Sequence, residues 1–175
     1  EWLAGKLTAA GYTVYADDHR GHGQTGLGQY GGDHSKLGKL GPGGMRATVE
    51  AVHKLTGMIR DDHPNLPLVL LGHSWGSFLA QMLLNRYSAD YDAMILSGSA
   101  LLTLGHTNTG DLNAKYKHLG STGYEWLSRD PEVVAAAAAD PLMFIANGMK
   151  LFGIADSLRM LGKPAKGIEH DVPVL

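Results

Sequence analysis

The sequence predicts an α/β protein built on a parallel sheet, and three observations carry that prediction. Short apolar runs at Tyr12–Ala16, Leu66–Leu71 and Tyr91–Leu96 have the length and residue types of strands. Segments of helical period lie between or before them, long enough to serve as crossovers. A sharp turn at Gly72–Gly76 leads straight from one such run into a helix.

In order, Trp2, Leu3, Leu7 and Ala10 recur at helical spacing, and Gly11 stands where a left-handed C-terminal cap belongs. Tyr12–Ala16 follows as the first predicted strand, rich in β-branched and aromatic residues. Ten of the 24 glycines then fall between Gly21 and Gly44, which marks a local loop. Met45, Val49, Val52, Leu55 and Ile59 form one stripe of a helix over 45–60, ended by His63-Pro64-Asn65 and Pro67. Leu66–Leu71 is almost continuously apolar, the pattern of a strand covered on both faces. Phe78, Leu79, Met82 and Leu83 continue as a helix, and Tyr91–Leu96 is the third strand. The alternation implies helices on both faces of the sheet.

The pattern changes after Leu102. Thr103–Gly123 is polar and aperiodic, and helices are predicted at Tyr124–Leu127, at Pro131–Ala139 with Pro131 in its first turn, and over Met143–Leu161. Apolar Val172–Leu175 reads as the start of another strand. We therefore expect a core over 1–102, an inserted helical segment over 103–170 and a return to the core at 171–175.

Composition narrows the function. The 175 residues are 44% hydrophobic and 18% charged, with a net charge of -2, which suits a globular protein and gives no electrostatic grip on nucleic acid. Zero cysteines exclude disulfides, thiolate metal sites and a cysteine nucleophile. No apolar run approaches the roughly 20 residues that span a bilayer, and no signal peptide opens the chain. A cytoplasmic protein without stable membrane insertion is expected.

Chemistry concentrates at Gly72-His73-Ser74-Trp75-Gly76, a G-x-S-x-G pentapeptide between a predicted strand and a predicted helix. A serine on that strained turn lifts its hydroxyl clear of the sheet, while flanking Gly72 and Gly76 let strand and helix approach. The Trp75 backbone N–H, at a helix N-terminus, points at a developing oxyanion. Two other patterns carry less. Gly21-x-Gly23-x-x-Gly26 and Gly26-x-Gly28-x-x-Gly31 match the dinucleotide fingerprint. That fingerprint needs a helix opening within the glycines, whereas Leu27–Gly44 shows no helical period, so no cofactor is expected. Asp17, Asp18, His19 and His22 have metal-ligand chemistry, but no second cluster completes a set, and such residues in turns bond their own backbone.

Together these stretches resemble the α/β-hydrolase superfamily, in its monoacylglycerol lipase and lysophospholipase-like, serine aminopeptidase-type branch. Gly11–Gly23, with Asp18-His19-Arg20-Gly21-His22-Gly23, resembles the family's strand and following loop. Leu70–Ser77 resembles its nucleophile elbow, and Trp126–Val134 with Ala139–Leu142 resembles the cap of bacterial members. The resemblance implies that Ser74 is the nucleophile and the Trp75 N–H half of the oxyanion hole. It makes His19, Arg20, Gly21, His22 and Gly23 a structural loop beside the site, and 103–170 a cap shaping the substrate pocket.

The resemblance also implies parts that these residues do not supply: a His-Gly segment before the first helix, and a triad aspartate and histidine after the strand that Val172–Leu175 begins. Asp171 precedes that strand and is not assigned as the acid. The chain is thus expected to be an internal stretch of a serine hydrolase acting on small hydrophobic esters, monoacylglycerol- or lysophospholipid-like, through an acyl-enzyme. Two other readings stay open. One is a non-catalytic protein that binds a hydrophobic ligand or partner. The other is an enzyme whose base is His106, His118 or His170.

Overall fold

The computed structural model describes residues 2–101, 103, 110–146, 148–161, 165 and 168–175, with the side chains of 148–150 excepted. The elements are α1 (Trp2–Ala9), α2 (Gly23–Gln29), α3 (Gly44–Asp62), β1 (Val69–His73), α4 (Trp75–Tyr87), β2 (Ala93–Ser97), α5 (Pro131–Ala139) and α6 (Gly148–Met160). The expected boundary at Leu102 lies outside the described residues, as does His106.

β1 and β2 pair in parallel from Val69 opposite Ala93 to His73 opposite Ser97, with α4 as the crossover. The last residues extend the sheet on the far side of β2. Met94 N–H donates to the Pro173 carbonyl (2.9 Å), Leu175 N–H to the Met94 carbonyl (3.0 Å), and Val174 bridges Met94 in parallel. One face of this sheet holds the core. Met45, Val49 and Val52 of α3, Leu79, Ala80 and Leu83 of α4, and Tyr91, Met94 and Val172 are buried together, with Phe152 and Met160 of α6 packed against them. Each large apolar side chain buried there contributes about 1.5–3 kcal/mol. The α3 stripe centres on Met45, Val49 and Val52 as read from the sequence, but Thr48 and Thr56 share it while Leu55 and Ile59 are only half-buried. Thr56 is satisfied there by hydrogen bonds to the Val52 carbonyl (3.0 Å) and the Tyr91 hydroxyl (3.0 Å).

Five expectations are corrected. Tyr12–Ala16 takes no regular secondary structure and forms no ladder, and Tyr12 and Tyr15 stay 61% and 44% exposed. Strand propensity needs a neighbouring strand to become a strand, and among the described residues none adjoins it. Its ties are Tyr12 N–H to the Leu7 carbonyl (3.1 Å) and the Tyr15 hydroxyl to His63 Nε2 (2.9 Å). β1 alternates rather than being covered twice. Leu70 and Gly72 turn inward, while Val69 and Leu71 remain 45% and 43% exposed.

The glycine-dense stretch contains a helix after all, α2. Asp18 holds its first turn from outside, accepting from Gln24 N–H (2.8 Å), and its own Gln29 side chain ties it to Gly21 N–H and the Leu40 carbonyl. Tyr124–Leu127 is a turn, because Glu125 bonds locally instead. Its carboxylate accepts from Thr122 N–H (2.6 Å), Thr122 Oγ1 (2.8 Å), Gly123 N–H (3.0 Å) and Asn113 Nδ2 (2.6 Å). Finally, the helix expected over Met143–Leu161 begins only at Gly148 and is broken at Gly153, whose φ of 70° and ψ of 175° suit glycine alone. Gly11 closes α1 at φ 92°, and α5 opens on Pro131 with Asp130 capping Glu132 N–H, both as the sequence indicated.

Candidate active site

The end of β1 meets the start of α4 at Ser74. Its φ of 51° and ψ of -118° make it the one non-glycine residue with positive φ among the described residues. A conformation of this kind costs about 1–3 kcal/mol and persists only where its surroundings impose it. Here they do. Ser74 N–H donates to the Ser97 carbonyl (2.9 Å), tying the turn to β2. The Ser74 carbonyl accepts from both Ser77 N–H (2.9 Å) and Ser77 Oγ (2.6 Å).

Gly72 makes the crossing possible, since a Cβ there would lie 2.6 Å from the Gly76 carbonyl oxygen and 2.8 Å from Ser77 Cα. Gly76 does not share that role: a Cβ on it would enter open space. The result is an exposed Ser74 at the N-terminus of α4. The Trp75 N–H, at the first helical position, has no intrahelical carbonyl to bond. His73 lies on the outward face of β1, with Nδ1 3.1 Å from Ser97 Oγ.

The Trp75 side chain joins the elbow to the 19–23 loop. It stacks on His22 (centroids 4.7 Å, planes 15° apart), meets His19 edge-on (5.2 Å) and stacks on Phe152 of α6 (5.9 Å, 17°). Its indole nitrogen is buried without a hydrogen-bond partner among the described residues. Burial pushes the His22 imidazole below its ordinary range, although the Arg20 carbonyl 3.0 Å from Nδ1 opposes this.

Arg20 fixes the loop to the segment opposite, donating from Nε to the Leu40 carbonyl (3.1 Å) and from Nη2 to the Pro42 carbonyl (2.9 Å). A Cβ on Gly21 would overlap the Lys39 carbonyl, and one on Gly23 would overlap the Asp18 carboxylate. His19 and His22 are thus brought against Trp75 of the elbow.

Two sequence arguments change. A helix does open within Gly21-x-Gly23-x-x-Gly26, so the lack of one is no ground for setting the dinucleotide fingerprint aside. The physical ground is Asp18, whose own carboxylate occupies the start of α2 where a pyrophosphate would bind. In the Asp17-Asp18-His19-His22 cluster, Asp18 and His22 bond nearby backbone, at Gln24 N–H and the Arg20 carbonyl, but Asp17 pairs with a side chain, its Oδ2 2.9 Å from His19 Nδ1. That bond from His19 holds the Asp17 carboxyl below its usual range. The sequence groups Asp17 with His19, and their i, i+2 spacing is the one local sign that the two side chains pair.

No histidine among the described residues is hydrogen-bonded to the Ser74 hydroxyl. His170 is excluded as its base, because its N–H donates to Ser88 Oγ (3.0 Å) at the other end of α4, roughly 20 Å from Ser74 along the helix. His118 lies in an exposed turn. No helix of the described residues is long and apolar enough to cross a membrane.

Comparison with known proteins bears on this geometry. The family described as Hydrolase_4, serine aminopeptidase, S33, matches residues 1–166. The monoacylglycerol lipase of Mycolicibacterium smegmatis (strain ATCC 700084 / mc(2)155) is 37% identical over 185 residues. That alignment takes in 99% of this chain, which spans 61% of the relative's length. Among solved structures, a lipase in its open form superposes with a TM-score of 0.72 at 25% identity, over 99% of this chain and 64% of that one. A highly thermostable carboxyl esterase from Bacillus coagulans, in complex with glycerol, superposes at 0.70 over 99% of this chain and 74% of that one. Its identity is 21%, so that likeness is one of fold.

Proposed function

The chain belongs to the serine aminopeptidase, S33, family of α/β-hydrolases, and from that membership we propose that its protein hydrolyses carboxylic esters through an acyl-enzyme on Ser74. The observation that carries the reading is the strained, exposed Ser74 between β1 and α4. A serine hydroxyl is held this way where it must reach a carbonyl carbon in line with backbone N–H donors.

In the proposed reaction Ser74 Oγ attacks the ester carbonyl and gives its proton to a histidine from outside residues 1–175. The Trp75 N–H stabilises the oxyanion, the alcohol leaves with that proton, and water then frees the acid from Ser74. Residues 103–170 act as the cap, and the apolar Phe144 and Phe152 near the elbow favour a monoacylglycerol- or lysophospholipid-like ester. The name of the M. smegmatis relative supports that substrate class.

The test is turnover of a long-chain monoacylglycerol by the full-length protein. Ser74→Ala should lower kcat by about four orders of magnitude or more. A second reading, a catalytically incomplete protein that only binds a hydrophobic ligand, draws on the absence of a base bonded to Ser74 among the described residues. It predicts no turnover, and ligand affinity indifferent to Ser74→Ala.

A further inference from the structure

The glycine-dense loop, left without a role by the sequence, is where α6 sits. Helix α3 begins at Gly44 after Gly43, a residue with no side chain to cap it. Its first turn is capped instead by a residue 111 positions away: Asp156 Oδ2 accepts from Met45 N–H at 3.0 Å. The other carboxylate oxygen receives Arg159 Nη1 at 2.5 Å, and the Asp156 side chain is only 13% exposed. An anion at a helix N-terminus meets the positive end of the helix dipole as well as unpaired N–H groups. Gly44, at φ 51°, leaves room for the carboxylate, since a Cβ there would overlap it. Gly38, at φ 86°, leaves room for the same segment, since a Cβ there would lie 2.6 Å from Phe144 and 2.8 Å from Leu151. His34 Nδ1 and the Pro141 carbonyl add a contact at 2.9 Å.

The break at Gly153 divides α6 into two halves with separate contacts. Asp156, beyond the break, holds α3. Phe152, before it, stacks on Trp75 beside Ser74. We propose that Asp156 is a positioning residue: by capping α3 from α6 it seats that helix on the glycine loop, holds Phe152 against Trp75, and so sets the width of the acyl cleft at Ser74. The last step rests on the ester-hydrolase reading above; the latch itself does not.

The test uses the full-length protein labelled with 5-fluorotryptophan, the Trp75 fluorine resonance being assigned with Trp75→Phe. Asp156→Ala should shift that resonance toward its solvent-exposed position, and Asp156→Asn, which keeps the acceptor for Met45 N–H, should restore it. In parallel, the ratio of kcat/KM for a twelve-carbon against a four-carbon ester should change roughly tenfold in Asp156→Ala and return in Asp156→Asn. Phe152→Leu, which keeps the cap on α3, should move both readouts with little change in Tm. It also decides the matter should Asp156→Ala fail to fold. An unmoved Trp75 resonance in Asp156→Ala or Phe152→Leu would overturn the proposal, as would Asp156→Asn behaving like Asp156→Ala. Absence of Ser74-dependent turnover in the unmodified protein would overturn the ester reading alone, and the Trp75 resonance would still decide the latch.

Discussion

The His22 imidazole lies flat on the Trp75 indole, 4.7 Å between centroids and 15° between planes, so the loop after Tyr12–Ala16 and the nucleophile turn share one surface. Phe144 also approaches the same imidazole, at 5.2 Å and 60° between planes. A charged His22 would be poorly hydrated there, and burial accordingly lowers its pKa. With a folded value below the unfolded one near 6.5, its contribution to stability is complete above about pH 6.5 and is lost as pH falls from there through the lower folded value. Asp17 adds a second, lower window, since its depressed carboxyl gives stability that is complete above its ordinary value of 3.8 and is lost as pH falls through the lower folded value. We predict a urea midpoint that falls between pH 7 and pH 5, with a smaller fall in His22→Gln. An identical profile in that variant would show that His22 does not titrate with folding.

The two glycines of the elbow are predicted to behave oppositely. Gly72→Ala drives a methyl into the Gly76 carbonyl and Ser77 Cα, and should cost about 1–3 kcal/mol as overpacking does. Gly76→Ala places its methyl in open space within α4, and should be neutral or stabilise by up to about 1 kcal/mol. Denaturant unfolding of the two variants measures the contrast directly.

Glu125 is the polar node of the 111–129 segment. Its burial works to raise the pKa, but the hydrogen bonds from backbone N–H groups, Thr122 and Asn113 outweigh burial and hold it down at about 2. Its folded value lies below the ordinary 4.5, so the stability it gives is complete above pH 4.5 and declines toward pH 2. Glu125→Ala should open this segment at neutral pH. Tryptic cleavage at the exposed Lys115 and Lys117 should then quicken severalfold, while an unchanged cleavage rate would remove Glu125 from that role.

Among the described residues no strand pairs with the outer edge of β1, and that edge with the exposed Val69 and Leu71 forms a surface that invites pairing with another chain. The 175-residue chain expressed alone should self-associate, and Leu71→Lys should reduce light scattering without lowering Tm. A monomeric chain with a cooperative thermal transition would contradict this.

What the sequence disclosed followed the range of the interactions. The Ser74 turn was legible because strand, serine and helix are contiguous, and the α3 stripe because its period is local. The fate of Tyr12–Ala16 was not legible, because a strand depends on a partner elsewhere in the chain. Helix α2 was hidden by Gly23, Gly26 and Gly28, which suppress helix propensity, while Asp18 supports it from outside and Gln29 ties it to Gly21 and Leu40. The Gly153 break and the Asp156–Met45 cap depend on how α6 meets α3, and nothing in either segment alone announces the other.

The central claim is that Ser74 is a nucleophile. Intact-mass analysis of the full-length protein after exposure to a fluorophosphonate tests it most directly. The account predicts a single adduct on Ser74 that disappears in Ser74→Ala. An unlabelled protein, or an adduct that survives Ser74→Ala, would contradict it.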